Sequence, residues 1–324
     1  DDLFDGNPAV DRKVEALKEG ARAELANLDD MGGAISAIDY MKSRLVESNA
    51  DRLGRIEAGE TIVVGVNKWQ QGEPSPLMTG DGGIMVVDPA VEADQINRLN
   101  AWRNSRDQAA VDKALADLRA AAAEGRNVME PSIAAAKAGV TTGEWAEQMR
   151  SVHGEYRGPT GVASGRSNKT EGLDDLRDAV DAVSTRLGRR LSFLVGKPGL
   201  DGHSNGAEQI AVRARDCGME IAYEGIRLTP SEIVSAAAEG EHHVVGLSIL
   251  SGSHIPLVED LMKQMRAAGL DHIPVIVGGI IPEEDAKRLR AMGVARVYTP
   301  KDFELNTIMA DIVTLADPET VAAE

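Results

Sequence analysis

The feature that most constrains the fold is an alternation that begins near Arg189 and runs to the C-terminus. Short apolar, β-branched runs at 190–195, 220–224, 243–249, 274–277 and 296–298 are each followed by an amphipathic segment: 205–217, a segment opening at Thr229, 255–268, 282–292 and 302–315. The runs have the length and composition of strands buried on both faces, while the segments between them repeat at helical spacing. Thr229-Pro230-Ser231-Glu232 reads as a helix start, with Thr as N-cap, Pro at the first helical position and an acid to complete a capping box. Repeated strand–helix units predict an α/β domain built on a doubly wound parallel sheet.

Sheets of this flavodoxin-like kind bind ligands beyond the carboxyl ends of their strands. The loops expected there are 196–206, 248–254, 278–282 and 298–300. The first is longer than the about two to six residues that usually join a strand to a helix. It is neither a GxGxxG nucleotide fingerprint nor a phosphate loop. It places His203 two residues after Asp201, and Lys197 four residues before that aspartate, on a glycine-rich segment. A metal-bound imidazole gives one nitrogen to the metal and donates its other N–H to a carboxylate, which fixes the tautomer and raises the basicity of the ring. Taken alone, an Asp-x-His pair is more often structural. One imidazole is also too few for a structural zinc site, which takes a full tetrahedral set. A single histidine ligand makes sense where a macrocycle supplies the other ligands.

Lys197-x-x-x-Asp201-x-His203-x-x-Gly206, then Ser248-x-Leu250 forty-five residues after the histidine, then Gly278-Gly279, together resemble the signature of the B12-binding domains of the methylmalonyl-CoA mutase superfamily. The resemblance implies adenosylcobalamin (coenzyme B12) as cofactor. His203 would ligate its cobalt from below in place of the cofactor's dimethylbenzimidazole, with Asp201 and Lys197 behind the ring. It implies cofactor contacts from Gly202, Ser204, Asn205, Gly206 and Ile210, from Ser248, Leu250 and Gly252, and from Gly278 and Gly279. At such positions glycine lets a bulky group approach the backbone. Thr299 stands after the last strand, where the family often has glycine. The residues between the motif positions, at 196–206, 250–254 and 298–302, look most similar to the ethylmalonyl-CoA mutase branch.

The preceding residues follow another pattern. Amphipathic helices are expected over 9–28 and 34–58, and Thr61-Ile62-Val63-Val64-Gly65-Val66-Asn67 predicts a buried parallel strand. The stretch from 89 to 156 is helical, with helices over 92–104, 108–124, 129–138 and 142–153, the last N-capped by Thr142. Residues 157–168 read as an exposed linker. Residues 29–33, residues 65–68 and the helical region after Asp88 resemble the last part of the acyl-CoA mutase barrel and its connector. The implied organisation is the end of a (β/α)8 barrel at 1–88, a helical connector at 89–157, a linker and leading helix at 158–188, and a cobalamin-binding domain at 189–324.

By this resemblance the activity is a radical 1,2 carbon-skeleton rearrangement, (2R)-ethylmalonyl-CoA to (2S)-methylsuccinyl-CoA, with methylmalonyl-CoA mutase as the alternative. The family binds its acyl-CoA on earlier barrel strands, so no catalytic residue is expected within this chain. A fragment, or one subunit of a split enzyme, is expected, working with an upstream portion, a companion chain or a second copy as a homodimer. A non-catalytic corrinoid carrier or sensor is the competing class, with 89–156 as its capping bundle, although the helices and strand before residue 68 have no role in that design. A receiver domain ranks last, because no acidic cluster follows the first strand.

Composition narrows the partners. With 35 basic against 52 acidic residues the formal charge is −17, which argues against a nucleic-acid backbone. Three Phe, three Trp and four Tyr are too few for a base-stacking platform. No apolar run approaches the length of a membrane span. The start lacks signal-peptide features, and the single cysteine, Cys217, suits a reducing cytoplasm. Cys217 and the tryptophans are expected to be packing residues, and the His242-His243 pair to be packed or solvated. His153 and His272 carry no partner signal. His254 is a candidate contact to the corrin or the barrel.

Overall fold

The computed structural model describes residues 4–71, 88–162 and 172–321. The chain forms two compact units, one of residues 1–71 and 158–324, the other of residues 72–157. The larger unit opens with helix α1 (Pro8–Asp30), whose Asn7 side chain accepts from the Ala9 amide and whose first position is Pro8. Its predicted apolar stripe exists, but the helix buries none of its residues, and Val14, Leu17 and Leu25 are exposed. Helix α2 (Ile38–Glu57) instead buries Val46 and Ile56.

The strand expected at 61–67 does not form. Residues 64–67 make a tight turn closed by an isolated bridge between Val64 and Lys68. The Asn67 side chain accepts from the Val63 amide and donates to the Ile56 and Thr61 carbonyls, at 2.8 Å in each case. A β-branched run becomes a strand only against a neighbour that satisfies its backbone, and none pairs with it among the described residues. Trp69, expected to pack, is exposed on a left-handed backbone.

The smaller unit contains α3 (Pro89–Ser105), α4 (Gln108–Ala123), α5 (Met129–Ala138) and α6 (Thr142–His153). The cap of α6 is Thr141 rather than Thr142: its hydroxyl accepts from the Glu144 amide, and the Glu144 carboxylate accepts from the Thr141 amide. The residue that sets the cap is the one whose backbone is extended, and Thr142 is already helical. The same Glu144 carboxylate takes a bidentate pair from the buried Arg106 guanidinium, at 2.7 and 2.6 Å, which holds it at about 2. Trp102 and Trp145 donate to the Gly139 carbonyl and the Ser132 hydroxyl.

In the larger unit the expected linker is partly packed. Val162 is buried, and residues 163–168 lie outside the described residues. Helix α7 (Leu173–Leu187) leads to β1 (Ser192–Gly196), α8 (Asn205–Asp216), β2 (Glu220–Tyr223), α9 (Pro230–Glu239), β3 (Val244–Ile249), α10 (His254–Ala267), β4 (Val275–Gly279), α11 (Glu283–Ala291), β5 (Arg296–Tyr298), α12 (Leu305–Ala316) and the short α13 (Pro318–Val321). All five strands run parallel in the order β2-β1-β3-β4-β5, the flavodoxin-like order, with its switch point between β1 and β3. One core packs α7, α8 and α12 against one face of the sheet, and the other packs α9, α10 and α11 against the opposite face. The capping box at Thr229 and Glu232 forms as predicted. Helix α12 starts at Leu305, later than the sequence suggested, because Asp302 accepts from the Thr299 amide and hydroxyl in a preceding turn.

At the amino edge of the sheet the histidine pair is packed. The His242 Nδ1 lies 2.6 Å from the Ser192 hydroxyl, and the His243 Nδ1 accepts from the Ser192 amide at 2.9 Å. Burial pushes both imidazoles below the ordinary histidine range; nearby Arg189 acts in the same direction and Glu220 opposes it. A histidine depressed in the folded state binds protons more readily once unfolded. Its stabilising contribution is therefore complete above the unfolded value, about 6.5, and is lost as pH falls below it. The urea unfolding midpoint should drop between about pH 7.5 and about pH 5.5, and drop less in a His242→Gln/His243→Asn variant; equal drops in both proteins would assign the acid sensitivity elsewhere.

Candidate cofactor site

The loop after β1 is organised around one carboxylate. Asp201 Oδ1 accepts from the His203 amide at 3.0 Å and from the His203 ring Nδ1 at 2.6 Å. Its Oδ2 accepts from Lys197 Nζ at 2.9 Å and from the Leu250 amide at 3.1 Å. Lys197 is wholly buried and also donates to the Ser248 carbonyl at 3.3 Å. Burial by itself would raise the Asp201 carboxyl; the four donors outweigh it and hold the group well below the usual carboxylate range. An ionised carboxylate only accepts, so Nδ1 is the donor in this bond, and in the neutral ring the lone pair is left on Nε2. The His203 side chain is 81% exposed, and Nε2 has no protein partner among the described residues.

Beside this loop, at the switch point of the sheet, lies a cavity of about 510 Å³ on the α8–α12 face. Its walls are largely apolar, from Phe193 and Val195 on β1, Ile210 on α8, Tyr298 at the end of β5, and Leu305 and Ile308 on α12. Its volume is in the range of small-molecule sites. Asn205, Gly206, Ile210, Ser248, Leu250, Gly278, Gly279 and Thr299 all line it, whereas Gly202, His203, Ser204 and Gly252 do not. The glycines divide into two kinds. A Cβ at Gly278, Gly206 or Gly252 would meet nothing closer than 3.9 Å, so these positions leave room for a ligand. A Cβ at Gly279 would sit 1.9 Å from the Ile249 carbonyl oxygen, so glycine there is required by the neighbouring strand itself.

Sequence reasoning missed several lining residues. Gly246 is glycine because a Cβ would lie 2.6 Å from the Phe193 ring, which is thereby seated against the sheet. The alternation of Phe193 and Val195 along β1 was the readable signal for that wall. Leu53, Ile56 and Glu57 of α2, with Val63 and Val66 from the turn after it, also line the cavity, and no linear motif marks them. His254 is buried, with Nε2 bonded to Asp285 at 2.8 Å, so its ring serves the α10–α11 packing. Cys217 is fully buried, which pushes its thiol up to about 11. His153 and His272 are exposed. Among the described residues no group of His, Cys, Asp and Glu side chains could hold a metal ion unaided, and no helix is long and apolar enough to cross a membrane.

Breaking a buried ion pair from one side costs about 3–5 kcal/mol, because the remaining charge is stranded. Asp201 would keep three other donors, so Lys197→Met should lower unfolding stability by about 3 kcal/mol in urea titrations. A loss under about 1 kcal/mol would mean that Lys197 does not carry the carboxylate.

Residues 2–155 match the family model described as methylmalonyl-CoA mutase, and residues 191–302 match the B12 binding domain. The chain is 70% identical, over all 324 residues, to an ethylmalonyl-CoA mutase of Cereibacter sphaeroides and spans 50% of that protein. It is 55% identical over 319 residues to the ethylmalonyl-CoA mutase of Methylorubrum extorquens, covering 98% of this chain and 46% of that one. It is 33% identical over 305 residues to a methylmalonyl-CoA mutase of Cereibacter sphaeroides, covering 92% and 42%. The chain thus spans about half the length of the curated relatives it matches. The mutase match across the first 155 residues also weighs against a carrier module with an unrelated helical cap. A mutase segment followed by a B12 binding domain, in one chain and with this identity throughout, places the chain in the methylmalonyl-CoA mutase superfamily.

Proposed function

We propose that this chain is the cofactor-bearing part of an ethylmalonyl-CoA mutase, with His203 Nε2 as the lower ligand to the cobalt of adenosylcobalamin. The observation that carries the reading is the Asp201–His203 bond, which occupies Nδ1 and leaves Nε2 exposed and without a protein partner among the described residues. The apolar cavity lined by Asn205, Gly206, Ile210, Ser248, Leu250, Gly278, Gly279 and Thr299 suits the cofactor's displaced nucleotide tail. Gly202, Ser204 and Gly252 contribute backbone around the ligand loop. When bound, the cofactor supplies a weak cobalt–carbon bond whose homolysis starts the radical rearrangement of (2R)-ethylmalonyl-CoA to (2S)-methylsuccinyl-CoA. The residues of this chain bind and orient that cofactor; none is assigned as an acid or base.

The higher identity to ethylmalonyl-CoA than to methylmalonyl-CoA mutases supports the branch. Because the relatives are about twice as long, the acyl-CoA site is assigned to their further portion, acting in a longer form of this chain, a companion chain or a homodimer. On this reading residues 1–88 end a (β/α)8 barrel, 89–157 are a helical connector, 158–188 lead in, and 189–324 hold the cofactor. The exposed stripe of α1 and the unpaired run at 61–67 would then meet barrel neighbours. A buried free cysteine is in keeping with a reducing cytoplasm.

Electron paramagnetic resonance of ¹⁵N-histidine-labelled protein with unlabelled cob(II)alamin tests the ligand. The cobalt signal of the wild-type protein should show a ¹⁵N doublet that His203→Ala abolishes. A ¹⁵N doublet that persists in the variant would remove His203 from the cobalt.

A further inference from the structure

The helix that carries the cobalt-ligand loop into the domain is held from outside the domain. Ser204 follows His203 directly and occupies the N-cap of α8, yet its hydroxyl makes no capping bond. It accepts instead from Lys42 Nζ of α2, at 3.1 Å. The same ammonium pairs with Glu208, in the first turn of α8. The Glu208 side chain is 2% exposed, and Lys42 is its one ion-pair partner among the described residues. Lys42 itself is fixed from behind: Gly161 turns over it on a left-handed backbone, where an added Cβ would lie 3.0 Å from the Lys42 carbonyl oxygen. Next along the helix, the Val46 carbonyl accepts from the buried Gln209 side chain at 3.2 Å. At the far end of α2, Glu57 accepts from Arg213 at 2.8 Å and from the Leu305 amide at 3.1 Å, reaching both α8 and α12.

We infer that Lys42 is a positioning residue for the cobalt ligand: an ammonium on the mutase segment that fixes Ser204 and Glu208, and through them the course of the backbone that presents His203. The inference rests on the assignment of His203 to cobalt. Its chemistry is that of a tether. A capping hydroxyl diverted to an outside donor leaves the start of α8 dependent on that donor, and a buried carboxylate with one cationic partner makes the tether costly to release. Asp201 sets which nitrogen of the ring is free; Lys42 sets where the loop holding that nitrogen begins its helix. The sequence signal is slight, since Lys42 and Glu208 are 166 positions apart with nothing to link them in the linear chain.

The test uses the full chain labelled with ¹⁵N-histidine and unlabelled cob(II)alamin, with binding and the ¹⁵N-histidine coupling as readouts. Groups that orient a metal-binding side chain typically change affinity by about 10–100-fold. Lys42→Met should therefore raise the Kd for cob(II)alamin by about tenfold and reduce the fraction of bound cobalt with histidine coupling. Lys42→Arg should restore most of both. A Lys42→Met/Glu208→Gln double variant removes the stranded charge without restoring the bond to Ser204. It should recover the unfolding midpoint but not the Kd or the coupling, and it carries the test if the single variant does not fold. Wild-type coupling and Kd in Lys42→Met, or recovery of both in the double variant, would overturn the inference and leave a merely structural ion pair. Absence of histidine coupling in the wild-type protein would instead defeat the assignment of His203, and the inference with it.

Discussion

A buried carboxylate, Asp201, receives hydrogen bonds from three separated parts of the chain: the end of β1 through Lys197, the loop after β3 through the Leu250 amide, and its own loop through the amide and ring of His203. Two strands on either side of the switch point are thereby joined across the place where a doubly wound sheet takes its ligand. The joint also determines chemistry. With its charge matched by Lys197 and its oxygens saturated, the carboxylate stays ionised, so the imidazole beside it has no choice of tautomer. The exposed nitrogen is the consequence of a buried network.

The surroundings of that network divide the labour. The sheet supplies a rigid floor, with Phe193 seated in the space left by Gly246 and an apolar slot running between α8 and α12. Helix α2, which belongs to the mutase-family segment, contributes Leu53, Ile56 and Glu57 to the same slot. It fastens to α8 and α12 through Lys42 and Glu57. The B12 binding domain is thus completed by residues far upstream of it.

Much of this was legible in the sequence because its causes are local. Five β-branched runs alternating with amphipathic segments determine the parallel sheet. The spacing of Lys197, Asp201 and His203 places three side chains within one loop, where they meet. The misses have a common physical origin in contacts that the linear pattern does not encode. The run at 61–67 has the composition of a strand but no partner to pair with, and Asn67 folds it into a turn. Thr142 has the composition of a cap, but the adjacent Thr141 holds the extended backbone that a cap requires. His254 stands in a ligand loop, yet Asp285 draws it into the packing of α10 on α11. The walls supplied by α2 depend on pairs more than 150 positions apart, which no local signal could connect.

Everything built on the Asp201 network requires that a protein histidine, and not the cofactor's own base, be the lower ligand to cobalt. Protein grown with ¹⁵N-labelled histidine and loaded with unlabelled cob(II)alamin tests this most directly by electron paramagnetic resonance. The triplet splitting from a ¹⁴N ligand should collapse to a doublet on labelling. A triplet unchanged by the label would place the cofactor's benzimidazole on the metal and contradict the assignment of His203 to cobalt.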